Sequence, residues 1–319
     1  MVAVVTGAAG FIGSVLLKTL ARRGPAVGID RRPFTAPPGA TAITADLLDA
    51  AADVRAALAG AQVVYHLAGC PDVRDPRSDV AQHRYRDNVL ATAAVLATVP
   101  ARTPLLVTSS SSVYGGTRKG RPSAETDPLR PRGGYAQSKL LVEQLCEGRA
   151  QAGGSVTVLR PFTVAGEGQR PGMALARWID AARNGLPLPL LGGPQRSRDI
   201  TDVRDVVQVL LDLTDCRASG VYNIGTGVGH TLAQLAEAIC TVVGVEVSTI
   251  MALPHPAEVT HTLADTRKLR RAIGWVPRTD LPVLIARQLA SARADRPVTP
   301  EPESVPAGQL TGEPATVAP

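Results

Sequence analysis

The first thirteen residues restrict the possible folds more than any other stretch. Val2-Ala3-Val4-Val5 is a continuous apolar run, the pattern of a strand buried on both faces. It runs into Thr6-Gly7-Ala8-Ala9-Gly10-Phe11-Ile12-Gly13, after which Val15, Leu16 and Leu20 recur at helical spacing. Strand, three glycines and helix in that order give each glycine its own task. Gly7 allows the tight turn, Gly10 lets the backbone approach a pyrophosphate, and Gly13 lets the helix lie close on the strand. Free N–H groups and the helix dipole favour an anion at that helix start. Glycine-rich turns also occur without ligands; the strand before and the helix after point this one toward a dinucleotide.

The same alternation continues. Ala26-Val27-Gly28-Ile29 reads as a second strand, ending in Asp30. A carboxylate there would accept from the ribose 2′-OH and repel a 2′-phosphate, which favours NAD over NADP. Arg31 and Arg32 pull the other way, because an arginine there can hold the phosphate. Ala42-Ile43-Thr44 leads to Asp46-Leu47, placed to contact adenine. Gln62–Gly69 gives a fourth strand and its turn; His66 reads as a packed histidine at a strand end. A helix runs through Tyr85, Asn88, Val89, Val95 and Leu96, and Leu105-Leu106-Val107-Thr108 is a fifth strand. Val156–Leu159 and Val221–Gly225 are the sixth and seventh. The expected fold is α/β: a Rossmann doubly wound parallel sheet of about seven strands, with a smaller C-terminal substrate-binding domain. Residues 1–163 form the dinucleotide domain, with about 200–230 returning to the sheet. Residues 164–294 are mainly the substrate-binding domain, with helices expected over 231–243, 266–273 and 281–294. Residues 295–319 are rich in Pro, Thr, Glu and Ala without periodicity and read as a disordered tail.

Two polar clusters interrupt this apolar framework. Ser109-Ser110-Ser111-Ser112 follows the fifth strand, at the carboxyl end where doubly wound sheets bind ligands. Tyr135-Ala136-Gln137-Ser138-Lys139 opens an amphipathic helix, so Tyr135 and Lys139 share a face one turn apart. A cation beside a phenol favours the phenolate, lowering a pKa near ~10 and making the tyrosine a usable base. Alone, the pair also suits an ordinary helix surface.

The net charge is +6, but arginine is scattered and no aromatic-basic motif appears, so no nucleic-acid partner is expected. A basic surface suits anionic nucleotides equally well. The four cysteines lack metal-ligand or redox spacing, so no metal is expected. With no signal-like opening and no apolar run near ~18 residues, a soluble cytoplasmic protein without membrane contact is expected.

Together and in this order, the glycine turn, Asp30, the serine cluster and the Tyr-x-x-x-Lys helix resemble the extended short-chain dehydrogenase/reductase family of NAD-dependent epimerases and dehydratases. The resemblance spans about residues 1–290. It implies a catalytic Ser110, Tyr135 and Lys139. It also implies an NAD site lined by Gly7, Gly10, Phe11, Ile12, Gly13, Asp30, Asp46, Leu47, Leu67, Ala68, Asn88, Tyr135 and Lys139. Dehydratases of the family carry Asp and Glu after the catalytic serine or threonine; here Ser111 and Ser112 stand there, so no carboxylate serves elimination. Arg160-Pro161-Phe162-Thr163-Val164 with Gln169-Arg170-Pro171 is similar to the signature of UDP-glucuronate 4-epimerases; many other relatives have Asn in place of Thr163. Ala165 and Gly172 depart from that signature, where Tyr and Asp are usual. Val73-Arg74 resembles the subfamily's Gly-Val-Arg segment, with Asp72 and Pro76 departing from its usual Gly and Ser. Glu258 stands where relatives place an Asp near the uridine ribose.

The resemblance therefore implies NAD-dependent 4-epimerisation of a UDP-sugar, UDP-glucuronate to UDP-galacturonate, through a 4-keto intermediate. Arg74, Ser110, Ser111, Ser112, Tyr135, Thr163, Arg170, Arg198 and Glu258 would contact the substrate, with Arg198 on the diphosphate. A homodimer is implied as well, formed by the helices bearing Asn88 and Tyr135. Alternatives of the same fold are a UDP-glucose 4-epimerase, a UDP-sugar decarboxylase and a 4-ketoreductase. A non-catalytic dinucleotide-sensing protein is the alternative of another class; such proteins commonly lose the Tyr or the Lys, and both are present here.

Overall fold

The computed structural model describes residues 2–49, 51–71 and 77–294. Its centre is a seven-stranded parallel sheet. The strands are β1 (Ala3–Thr6), β2 (Ala26–Asp30), β3 (Ala40–Thr44), β4 (Val63–His66), β5 (Leu105–Thr108), β6 (Thr157–Pro161) and, after three short strands described below, β10 (Gly220–Ile224). Their spatial order is β10-β6-β5-β4-β1-β2-β3. The order reverses between β1 and β4, which opens a crevice above their carboxyl ends. The segment returning from the C-terminal half adds β10 in register beside β6, Tyr222 opposite Leu159.

The strands are apolar on both faces because helices cover both faces. Val5, Tyr65, Leu106 and Leu159 point to one side and pack on Leu16, Leu17 and Leu20 of α1 (Phe11–Ala21) and on the later helix at Val203–Asp215. Val4, Val64, Leu105, Val107 and Val158 point to the other side. They meet α2 (Ala52–Ala59), α4 (Ala91–Thr98) and Val142 and Cys146 of α5 (Gly133–Gln151). Fully burying one such leucine or valine contributes on the order of 1.5–3 kcal/mol. Between α3 (Val80–Arg84) and α4, the stretch Tyr85–Leu90 is wound as a π-helix and carries Asn88 inward.

Beyond β6 the chain builds a second, smaller core. The helices of this half are α6 (Ala174–Arg183), α7 (Val203–Asp215), α8 (Leu232–Val243), α9 (Arg267–Ile273) and α10 (Leu281–Ala294), with short strands between. Of these helices, α6, α8 and α10 bury Trp178, Ile179, Ile239 and Leu284 together in that smaller core, whereas α7 and Leu269 of α9 pack in the core of the main sheet. The strands β7 (Thr163–Ala165), β9 (Ser197–Asp202) and β11 (Gly229–Thr231) form one small sheet in the order β11-β9-β7. A second small sheet pairs β8 (Leu188–Leu191) with β12 (Thr249–Ala252). The expected tail at 295–319 lies outside the described residues. Among those described, no helix is long and apolar enough to cross a membrane.

Candidate active site

The crevice floor is the turn after β1. Gly7 has φ +73°, and a Cβ there would meet the Ala68 backbone nitrogen at 2.7 Å, so the turns after β1 and β4 touch. A Cβ on Gly13 would stand 2.1 Å from the Gly7 carbonyl oxygen. Gly10 begins α1 with no side-chain cap, which leaves the first-turn N–H groups for an anion. This is a cradle that a pyrophosphate fits. Asp30, at the end of β2, accepts from the Ala9 backbone N–H at 3.0 Å and from that of Arg32 at 2.9 Å. Arg32 folds back on Asp30, Nε to Oδ1 at 3.4 Å, while Arg31 donates to Asp87 at 2.9 Å. Both arginines thus have carboxylate partners. Asp46 pairs with Arg86 at 2.8 Å beside Leu47. Leu67 and Ala68 lead away from β4 over Thr6, with the Leu67 N–H on the Thr6 carbonyl.

Asn88 was expected at the cofactor, but its amide is engaged within the protein. Its Oδ1 accepts from the Cys70 N–H at 2.8 Å, and its Nδ2 donates to Ser138 Oγ at 2.8 Å and to the Cys70 carbonyl at 3.3 Å. It joins the turn after β4 to α5. His66 is 2 % exposed and its ring nitrogens bond Thr6 and Thr92 at 2.7 and 3.0 Å. Burial, and the charge of Lys139, push it down to about 3, so it is a neutral packed histidine.

Ser110, Tyr135 and Lys139 converge at the mouth of β5. Ser110 caps a tight turn over Ser111–Tyr114, its Oγ accepting from the Ser112 N–H at 3.1 Å. Desolvation raises the partly buried Tyr135 phenol above its ordinary value. Its hydrogen bond with Ser110 pulls it down, the Cys70 thiol pushes it up, and Arg170 and Arg84 pull it down. Lys139 Nζ donates to the Thr108 carbonyl at 2.8 Å, and burial lowers the ammonium to about 8. Spacing gave the pair its shared face; burial, which spacing does not encode, dominates its titration.

The substrate side is less uniform. Ser111 lies half-buried, and among the described residues the buried Ser112 Oγ has no hydrogen-bond partner. Thr163 begins β7, paired with Ile200. Arg170 is exposed near enough for its charge to reach the Tyr135 phenol. Arg198 and Glu258, expected on diphosphate and ribose, bind each other at 2.9 Å, and Arg198 also donates to the Ser197, Val259 and Thr260 carbonyls. Arg74 lies outside the described residues. Among the described residues no group of three or more His, Cys, Asp or Glu could hold a metal.

Three further charged residues stand at the site. Arg84, buried on α3, places Nη1 3.1 Å from where a Gly134 Cβ would be, beside Tyr135. Glu143 and Arg160 form a buried ion pair behind the serine turn. Their signal in the sequence is spacing: Arg84, Asn88 and Thr92, like Tyr135, Lys139 and Glu143, recur every fourth residue on one helix face.

Comparison with known proteins agrees with this geometry. The UDP-glucose epimerase YtcB of Bacillus subtilis, described as uncharacterised, is 30 % identical over 307 residues, 90 % of this chain and 96 % of that protein. A probable UDP-glucuronate 4-epimerase of Rhizobium meliloti is 34 % identical over 234 residues, 66 % of this chain and 67 % of that one. The structures of MoeE5 with UDP-glucuronic acid and NAD, and with UDP-glucose and NAD, match at TM-scores of 0.84 and 0.82. Both are 34 % identical and cover 92 % of this chain and 99 % of theirs. The model of the NAD dependent epimerase/dehydratase family matches residues 3–225, and the chain belongs to that family.

Proposed function

We propose that this family member is a UDP-sugar 4-epimerase whose substrate is UDP-glucuronate, interconverted with UDP-galacturonate. The observation that carries the epimerase reading is the convergence of Ser110, Tyr135 and Lys139 at the rim of the glycine-turn crevice. Residues 1–163, with about 200–230, would hold the cofactor, and 164–294 mainly the sugar nucleotide.

NAD, when bound, supplies a site that takes the hydride from sugar C4 and gives it back. The N–H groups opening α1 would hold the pyrophosphate, and Asp30 would accept from the adenosine ribose. Tyr135 takes the proton of the 4-OH and returns it, while Ser110 shares a hydrogen bond with that oxygen and fixes its position. Lys139, held on the Thr108 carbonyl, keeps a cation beneath the phenol. Inversion requires the 4-keto sugar to present its other face before the hydride returns to C4 and the Tyr135 proton to O4.

The uronate reading rests on donors around the serine turn: the unpartnered Ser112 hydroxyl, Ser111, Thr163 and the Arg170 charge. A carboxylate would satisfy them, while a hydroxymethyl would leave some unmet, at ~1–3 kcal/mol. The second reading, a UDP-glucose 4-epimerase, is favoured by the relative described as a UDP-glucose epimerase at 30 % identity. The test is NMR of purified protein incubated with each sugar nucleotide and no added cofactor. Galacturonate signals and a tenfold to hundredfold higher kcat/KM for the uronate are expected. Equal values overturn the substrate, and no epimer from either overturns the reaction.

A further inference from the structure

We infer that Glu143, clamped by Arg160, is a positioning residue that locks the turn bearing Ser110 against the helix bearing Tyr135 and Lys139. The inference rests on the catalytic reading of that trio. Tyr135, Lys139 and Glu143 lie one helical turn apart on the same face of α5. Glu143 and Arg160 are 8 % and 3 % exposed. Glu143 Oε1 accepts from Ser109 Oγ at 2.5 Å and from Arg160 Nε at 2.9 Å, and Oε2 accepts from Arg160 Nη2 at 2.6 Å. Arg160 Nη1 then donates to the Tyr114 hydroxyl at 2.8 Å, with the guanidinium 4.9 Å from the Tyr114 ring centroid. Tyr114 donates onward to Asn223 of β10 at 2.7 Å.

One carboxylate therefore holds both ends of the serine turn, Ser109 directly and Tyr114 through the guanidinium. Lys139 grips Thr108 one residue earlier, so two successive turns of α5 hold the exit of β5. A buried ion pair is a poor source of net stability, because desolvation offsets the attraction. A bidentate Arg–carboxylate pair does fix geometry. Misplacing reacting groups by about 1 Å can cost ~10²-fold in rate.

The pair also has an electrical consequence. The groups facing Lys139 are Tyr135, Glu143 and Cys146 on its own helix, and Cys70 and His66 from β4 and its turn. Against burial, Cys146, Cys70 and then Glu143 support the ammonium, and Glu143 is the carboxylate among them; neutralising it moves the Lys139 titration to lower pH.

The test compares Glu143→Gln, which keeps the shape and removes the charge, with Val142→Ala, a buried neighbour outside the network. Readouts are steady-state kinetics, UDP-sugar and NAD binding, melting temperature, and a ¹³Cε titration of the four lysines (Lys18, Lys119, Lys139, Lys268). The expected result for Glu143→Gln is kcat at least tenfold lower, binding within threefold, and Lys139 titrating at lower pH. Val142→Ala should leave that titration in place. A Glu143→Gln kcat that falls no further than that of Val142→Ala, or an unmoved Lys139 titration, overturns the inference. If Glu143→Gln does not fold, Tyr114→Phe deletes only the hydroxyl linking Arg160 to Asn223. It should lower kcat severalfold at constant KM, and an unchanged kcat overturns the inference. The lysine titration needs no substrate, so it judges this inference even where the proposed reaction fails.

Discussion

Tyr135 is pulled in opposite directions: burial holds its proton on, while Ser110, Arg170 and Arg84 draw it off. As the proposed base, Tyr135 would act in concert with these neighbours. Tyr135→Phe should retain the fold and cofactor binding and lower kcat by ~10²–10⁴; turnover near wild type would refute the assignment. Asp30 holds Arg32 to itself, so Asp30→Ala should both remove the repulsion of a 2′-phosphate and release Arg32 toward it. Competition titrations should show the NAD preference narrowing in that variant. His66 makes the fold sensitive to acid. Its pKa is about 3 in the fold against 6.5 unfolded, so the unfolded chain binds the extra proton between those values. Its contribution is present above pH 6.5 and lost as pH falls toward 3, at most about 1.4 kcal/mol per pH unit. Lys139, at about 8 against 10.5, acts in the same sense in the alkaline range. Urea midpoints should fall from pH 6.5 to 4 in the wild type, with His66→Gln flattening that slope. At this scale the residue types and spacings were legible in the sequence. Arg198–Glu258 and Asn88–Ser138 were not, because each joins segments far apart in the chain and only folding brings them together.

The elements followed their apolar patterns closely where those patterns were long. β1, β2 and β5, and the helices at 232–243, 267–273 and 281–294, are where periodicity places them. β7 and β11 are three residues each, too short to show alternation, and the pairing of β8 with β12 joins segments some sixty residues apart. The π-helical turn at Tyr85–Leu90 leaves no mark in a 3.6-residue pattern, yet it turns Asn88 inward. Where a motif carries a steric requirement, the sequence is far more decisive. Gly13→Ala should cost far more than a helix-propensity change, since its Cβ would sit 2.1 Å from the Gly7 carbonyl oxygen. The expected outcome is a lower melting temperature together with loss of bound NAD. An unchanged melting temperature and full NAD content would show that the β1–α1 packing is looser than drawn.

For the whole molecule, the sheet and its two helical layers account for the N-terminal half, but one face of them carries exposed apolar side chains. Tyr85 and Leu90, on the stretch that carries Asn88, are 52 % and 41 % exposed, and Leu141 on α5 is 40 % exposed. These residues belong to the two adjacent segments that flank the candidate site, whose contacts hold Asn88 on Ser138. Large apolar side chains exposed together on adjacent helices mark an association surface more readily than scattered single ones do. Two copies related by a two-fold axis would bury them against their own counterparts, a self-complementary arrangement that closes as a dimer. The protein should therefore run as a homodimer in light scattering at micromolar concentration. Leu90→Glu combined with Leu141→Glu should yield monomer, by placing unpaired carboxylates in the interface. A wild type that is already monomeric at that concentration would remove this face from consideration as an interface.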